Sequence, residues 1–289
     1  MTLFATFLIL LYCLGHSYWN FLVKKSDNPQ IMLVLIAIGS WVIFSPLALV
    51  YILINPISLE SWMFIIINSV LQIFYYAFLG KAYKLADLSI VYPLARGSAV
   101  FFIPFWGIIF LNESVSFSAI IGISMIFIGL IFISLIPIIN KNLIINKNLV
   151  IGIGLSILVG LNISLYTIVD KKAVSSVNPF IYPILITVGG SLGAILFTGS
   201  KNKIADLKFQ FKNHYFTVIS GSIIMYIAYS VMLYALNISK MSYAATAREL
   251  TIIVGIMWSY FFLKEKLTIT RFFAILIIFF GAIIISVSK

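Results

Sequence analysis

Charge is scarce in this sequence. Only 9% of its 289 residues are Asp, Glu, Lys or Arg, whereas a soluble domain carries about 25%. That supply cannot keep a soluble surface wetted, which excludes a soluble enzyme, a nucleic-acid binder and a disordered scaffold. Acidic residues are scarcest, eight against nineteen Lys and Arg, for a formal charge of +11. Nearly all the lysines fall in short gaps between apolar runs, the usual distribution in a membrane protein, so the charge does not signal nucleic acid. The single cysteine, Cys13, excludes an intramolecular disulfide and a thiolate metal cluster. The two histidines lie 198 residues apart. With no clustered carboxylates, zinc-protease pair, nucleophile elbow or Walker loop, an enzyme, a metal site and a cofactor are not expected.

Apolar sequence is abundant: 62% hydrophobic residues, 16% aromatic, mean hydropathy +1.14. A helix crossing the hydrocarbon core needs about 20 mainly apolar residues. Ten such runs are legible, at 3–23, 31–54, 61–82, 88–111, 117–138, 149–169, 180–198, 215–237, 241–263 and 267–287. They leave no room for a soluble domain. The opening MTLFATFLIL lacks a basic segment and a small-residue cleavage site, so the first run is expected to stay as a span. Thirteen cations, from Lys24 to Arg271, fall on one face, against Lys171, Lys172, Lys240 and Lys289 on the other. The bias predicts a multi-pass protein of the cell (plasma or inner) membrane with both termini extracytoplasmic.

An internal repeat organises the spans. A shift of 152 residues aligns Ala95-Arg96 with Ala247-Arg248, Trp106 with Trp258, and Phe110-Leu111-x-Glu113 with Phe262-Leu263-x-Glu265. Chance matches of apolar residues do not align two Arg, two Trp and two Glu in one register. The expected fold is all-α, ten transmembrane helices as two five-helix repeats, 1–138 and 149–289, joined by a linker at 139–148. Five is odd, so the second copy enters from the opposite side. Inverted repeats place a site near the midplane and let the halves rock.

The repeated stretches, YPLARGSAVFFIPFWGIIFLNE (Tyr92–Glu113) and AATARELTIIVGIMWSYFFLKE (Ala244–Glu265), resemble the drug/metabolite transporter superfamily, EamA-like branch. GHSYWNFLVKK (Gly15–Lys25) is similar to a subgroup with a His-x-x-Trp-Asn signature, some of whose members lie near organophosphonate-utilisation functions. The resemblance implies a transporter built from two EamA-like five-helix units.

Arg96 and Arg248 lie roughly 10–12 Å inside their spans at 1.5 Å per residue, near mid-membrane. A charge there faces a cavity or a partner. Two planar guanidiniums suit a carboxylate or phosphonate; equally, Arg248 could pair with Glu249 and Arg96 could cap a broken helix. Glu249 reads as the carboxylate well inside a span, a counter-ion to Arg248 or a proton carrier. Glu113 and Glu265 read as capping or gating residues. Tyr12, His16, Trp19 and Asn20 form one stripe of the first span, with His16 either a proton site or an interhelical hydrogen bond. Gln72 and Tyr76, with Asn68 and Tyr75, share a face of span three; Tyr226 and Tyr229 belong to span eight; Tyr92 begins the first repeated stretch. Pro93 and Pro104 are expected to break the ladder of span four, and Gly189-x3-Gly193 to mark close helix packing.

These residues predict a secondary active transporter for a small metabolite with an anionic group, an amino acid or organophosphonate. It would work by alternating access, as monomer or homodimer, with protons as one candidate partner. An exporter of aromatic or drug-like cations is the alternative, and a passive channel a weaker one. Arg96→Ala is expected to abolish uptake and spare the fold.

Overall fold

Small polar side chains stand just ahead of the apolar runs and start the helices. Thr2, Asn28, Ser58, Asn146 and Thr268 each accept a hydrogen bond from the amide three residues on, which satisfies one orphan donor of the first turn. The computed structural model describes residues 1–140, 146–197, 202–264 and 268–288. They form α1 (Leu3–Lys25), α2 (Pro29–Val42), α3 (Ser45–Ile54), α4 (Leu59–Leu85), α5 (Leu88–Leu111) and α6 (Phe117–Asn140). After these come α7 (Lys147–Ala173), α8 (Tyr182–Phe197), α9 (Lys203–Asn237), α10 (Met241–Ala247), α11 (Thr251–Leu263) and α12 (Ile269–Val287). Eight helical segments, counting α2 and α3 as one, are long and apolar enough to cross a membrane. The shorter apolar α8 and the α10–α11 pair lie on the remaining two predicted runs. The chain is an all-helical, multi-span membrane protein.

Departures from the expected boundaries have local causes. The second run is two helices, because the chain turns at Ile43 and Phe44 ahead of Pro46, which has no N–H to continue the ladder. Helix α9 begins at Lys203 rather than Tyr215, and the expected start coincides with a kink at His214 (φ −133°, ψ 29°). The seventh run is helical from Tyr182, not Phe180, because Asn178 Oδ1 accepts from the Phe180 amide in a turn. Of the linker, 139, 140, 147 and 148 are helical, while 141–145, like Thr198, Glu265 and Leu267, lie outside the described residues. The proline-bearing span four was expected to break, yet α5 runs continuously through Pro93 and Pro104. The break falls in the proline-free ninth span instead, as a 3-10 turn at Arg248–Leu250.

Polarity is turned inside out relative to a soluble protein. Phe4, Phe7 and Leu14 of α1, like Phe272 and Phe279 of α12, are exposed, whereas Arg96, Asn68, Asp170 and Glu249 are buried. Most large helix contacts cross between residues up to 140 and residues from 146 on: α5 with α7, α6 with α12, α4 with α7 and α8, α1 with α9 and α11, and α2 with α8 and α9. Glycine sets the separation at the closest seams. A Cβ on Gly189 would stand 2.6 Å from Ser69 Cα, and one on Gly193 2.8 Å from Ile73 Cα, so α8 lies directly on α4. Both termini share one face, where the Met1 amine donates to the Ser288 carbonyl at 2.6 Å.

Candidate functional site

Three charges meet where α5 crosses the 3-10 turn of the ninth span. Arg96, two turns into α5, places Nε 2.7 Å from Glu249 Oε2. Arg248 Nε stands 3.6 Å from the other oxygen of the same carboxylate. All three side chains are buried. Glu249 therefore lies between two guanidiniums, nearer to the one from the distant helix than to its chain neighbour. Each arginine also reaches a threonine: Arg96 Nη2 donates to Thr251 Oγ1 at 3.4 Å, and Arg248 Nη2 to Thr167 Oγ1 of α7 at 3.0 Å. Arg248 Nε and Glu249 Oε1 have no hydrogen-bond partner among the described residues.

Helix α1 donates to the 3-10 turn and to the first residue of α11. The Arg248 carbonyl accepts from the Thr251 amide, the i+3 bond of a 3-10 turn, and keeps a lone pair for a second donor. Cys13 Sγ donates to the Arg248 carbonyl at 3.6 Å, and Ser17 Oγ to the Thr251 carbonyl at 2.7 Å. These side chains are four residues apart and so share a face of α1. Sequence reading missed both, because a lone cysteine and a lone serine carry no signal until the carbonyls they satisfy are known.

A second polar cluster lies one turn further along α7. Asp170, 1% exposed, accepts from Asn68 Nδ2 of α4 at 2.6 Å and from the Tyr229 hydroxyl of α9 at 2.8 Å. The Tyr182 hydroxyl of α8 accepts from Asn68 at 3.0 Å and lies against the same carboxylate. Asp170 falls just past the expected end of its span at 169, and the structure buries it. Glu249 is therefore not alone as a buried intramembrane carboxylate.

The remaining candidates separate into groups. His16 and Tyr92 lie within electrostatic reach of both arginines, as do Tyr12 and Tyr166. His16 is sandwiched between Tyr12 and Trp19, ring centroids 5.0 Å from each, while the Trp19 ring continues into an apolar cluster with Met32, Ile36 and Val218. Asn20 Nδ2 donates to the His16 carbonyl of its own helix at 2.7 Å. Gln72 and Tyr76 pack against Gly190 of α8. Tyr226 lies apart from the arginines; it stacks on Phe44 at 3.8 Å and donates to the Phe180 carbonyl at 2.8 Å. Tyr229 serves Asp170.

On the face that holds the termini, Glu113 receives the start of α10. Its carboxylate accepts from the amides of Met241 and Ser242 and from Ser242 Oγ, the last two at 3.0 and 2.5 Å. A carboxylate at a helix N-terminus is worth about 0.3–1 kcal/mol, and up to about 2 when partly buried. Glu113→Gln should lower thermal stability in detergent by about 1–2 kcal/mol; an unchanged unfolding midpoint would assign the contact no energetic role. Glu265, its counterpart in the repeat, lies outside the described residues.

Comparison with known proteins agrees with this architecture. Residues 150–287 match the model of the EamA-like transporter family. Over those residues, just under half of its length, the chain is similar to that family. No curated protein matches it in sequence. Among solved structures 29 chains match. One, described only as a crystal structure of a protein, superposes with a TM-score of 0.69 at 12% identity, over 98% of this chain and 95% of that one. At that identity the likeness concerns the fold alone. The chain is thus a multi-span membrane protein with a buried ionic centre, and its second half resembles a transporter family.

Proposed function

We propose that this protein is a secondary active transporter for a small metabolite with an anionic group, binding it between two inverted five-helix repeats. The observation that carries the reading is the centre itself: two buried guanidiniums share one carboxylate, leaving a formal charge of +1 and an unspent Arg248 Nε–H. A buried donor on a cation is costly to leave unmade. An incoming carboxylate or phosphonate would satisfy it and neutralise the excess charge, and planar guanidinium donors suit both groups.

Several features support the inverted repeat. Asn112 (φ 52°) and Lys264 (φ 53°) end α5 and α11 in the same left-handed conformation, at positions related by the 152-residue shift. The helix pairs also exchange between halves: α1 with α9 mirrors α7 with α4, and α1 with α11 mirrors α7 with α5. A 3-10 segment within a span is a natural hinge, and here it carries Arg248. Rocking of one repeat on the other would then expose the centre to each face in turn. The lysine-poor face, with both termini, is assigned to the outside.

A cation exporter that used Glu249 would need it free, and Arg96 occupies it at 2.7 Å. The substitution Arg96→Ala does not isolate binding, because it also strips Glu249 of its closest partner. Arg248→Lys is the better probe: it keeps the charge and removes the planar fork. Purified protein screened by thermal shift against amino acids, organophosphonates and sugar phosphates should be stabilised by an anion, by about 2.7 kcal/mol at a hundredfold excess over Kd. Arg248→Lys should lose that shift, measured against its own ligand-free midpoint. Stabilisation by aromatic cations with none by anions would overturn the assignment.

A further inference from the structure

We propose that Asp170 is a proton-binding site whose occupancy couples to the ionic centre through α7; this rests on the transport reading above. The geometry distinguishes the two buried carboxylates. Glu249 is compensated by two guanidiniums in contact. Asp170 meets only neutral donors from the helices packed around it: Asn68 of α4, Tyr182 of α8 and Tyr229 of α9. No Lys, Arg or His among the described residues touches it. Lys171, its neighbour, turns away to the carbonyls of Leu236, Asn237 and Ser239. Arg248 reaches it only through the field, and Tyr166 is the further titratable group near it on α7. A buried carboxylate without a contacting cation is relieved by taking a proton.

Asn68 supplies an independent sign that the cluster has two states. Its amide nitrogen serves Asp170, Tyr182 and, at 3.4 Å, the Tyr166 carbonyl, while its buried Oδ1 has no partner. That orientation suits a carboxylate, which only accepts. A protonated Asp170 must donate once. Turning the Asn68 amide end for end would offer it the idle oxygen. The proton adds as one O–H bond on the carboxylate, drawn from the aqueous phase and returned to it.

A polar cavity lies on the termini side of the cluster, and protonation has a structural consequence. On the termini face a cavity of about 190 Å³ is lined by Asn55, Ser58, Ser61 and Ser176, and Ser61 Oγ lies 3.0 Å from Ser176 Oγ across the α4–α7 seam. Asn68 is seven residues further along α4, about 10 Å deeper at 1.5 Å per residue. The ionised carboxylate draws α4, α8 and α9 onto α7 with charge-assisted bonds, about twice as strong as neutral ones. Protonation loosens that clamp one turn from Thr167, which holds Arg248.

The test has two arms. Infrared difference spectra between about pH 6 and 9, above the range of ordinary carboxylates, should show a buried carboxylic acid band in the wild type. Asp170→Asn, which keeps the shape and an acceptor oxygen, should lack it, and Glu113→Gln should retain it. No such band in the wild type, or its survival in Asp170→Asn, would overturn the proton site. In proteoliposomes, one-proton electroneutral coupling sustains about tenfold accumulation per pH unit. Asp170→Asn should accumulate nothing from the radiolabelled amino acid or phosphonate panel, yet exchange internal for external compound at near wild-type rate. Gradient-driven accumulation in Asp170→Asn would overturn the coupling. If wild type binds no member of the panel, the transport reading fails, while the infrared arm still decides Asp170.

Discussion

Glu249→Gln should destabilise the folded protein by about 3–5 kcal/mol, the cost of leaving a buried charge without its partner. The carboxylate is fully buried and stands 2.7 and 3.6 Å from two guanidiniums. Removing its charge leaves two cations side by side in low dielectric, where like charges repel far more strongly than in water. The double variant Arg96→Gln, Glu249→Gln should recover part of the loss, because two neutral amides can hydrogen-bond to each other. Thermal unfolding of the two single variants and the double variant in detergent gives the coupling energy, expected within about 0.5–3 kcal/mol. Glu249→Gln within experimental error of the wild type would remove the ionic centre as an element of stability.

Gly160→Val should be comparably damaging by a steric route. A Cβ on Gly160 would stand 2.6 Å from the Ala95 carbonyl oxygen, 2.8 Å from the Ala99 amide and 2.5 Å from Ser98 Cβ. Two of those atoms are backbone, so no rotamer change relieves the clash and α7 must move off α5. Overpacking costs about 1–3 kcal/mol and occasionally more. The displacement also acts on function: Ala95 adjoins Arg96, and α7 carries Thr167, so a shifted seam moves one arginine relative to the other's anchor. Gly154→Ala on the same helix is the control, because a Cβ there meets nothing within 4 Å. It should be neutral or stabilising by up to about 1 kcal/mol from helix propensity. Equal effects at the two positions, read by yield and unfolding midpoint, would refute close packing as the cause.

The legible and illegible parts of the site differ in kind. Arg96, Arg248 and Glu249 stood out because charge within an apolar run is costly wherever the run folds. The Gly189–Gly193 spacing was legible because a small-residue stripe has one common use in membrane helices. Asp170 was not, since it falls just past the expected end of its span at 169, and only the packing of α4, α8 and α9 around it buries it. A break in the helical ladder was expected at the prolines of α5. It occurs instead where Cys13 and Ser17 supply donors from another helix, which no local pattern records. Tyr226 and Trp19 looked like site residues by type and lie in packing clusters by position.

The scarcity of charge, 9% of the chain, by itself determined that the protein lives in a membrane and that its few interior charges matter. Solvent partition depends on composition and run length, which a sequence states outright. Tertiary structure alone decided the pairings: Glu249 with Arg96 across 153 residues, Asp170 with Asn68 across 102, and Ser17 with the Thr251 carbonyl across 234. A buried charge announces that it needs a partner. Which partner depends on which helix faces meet, and that is set by packing over the whole chain.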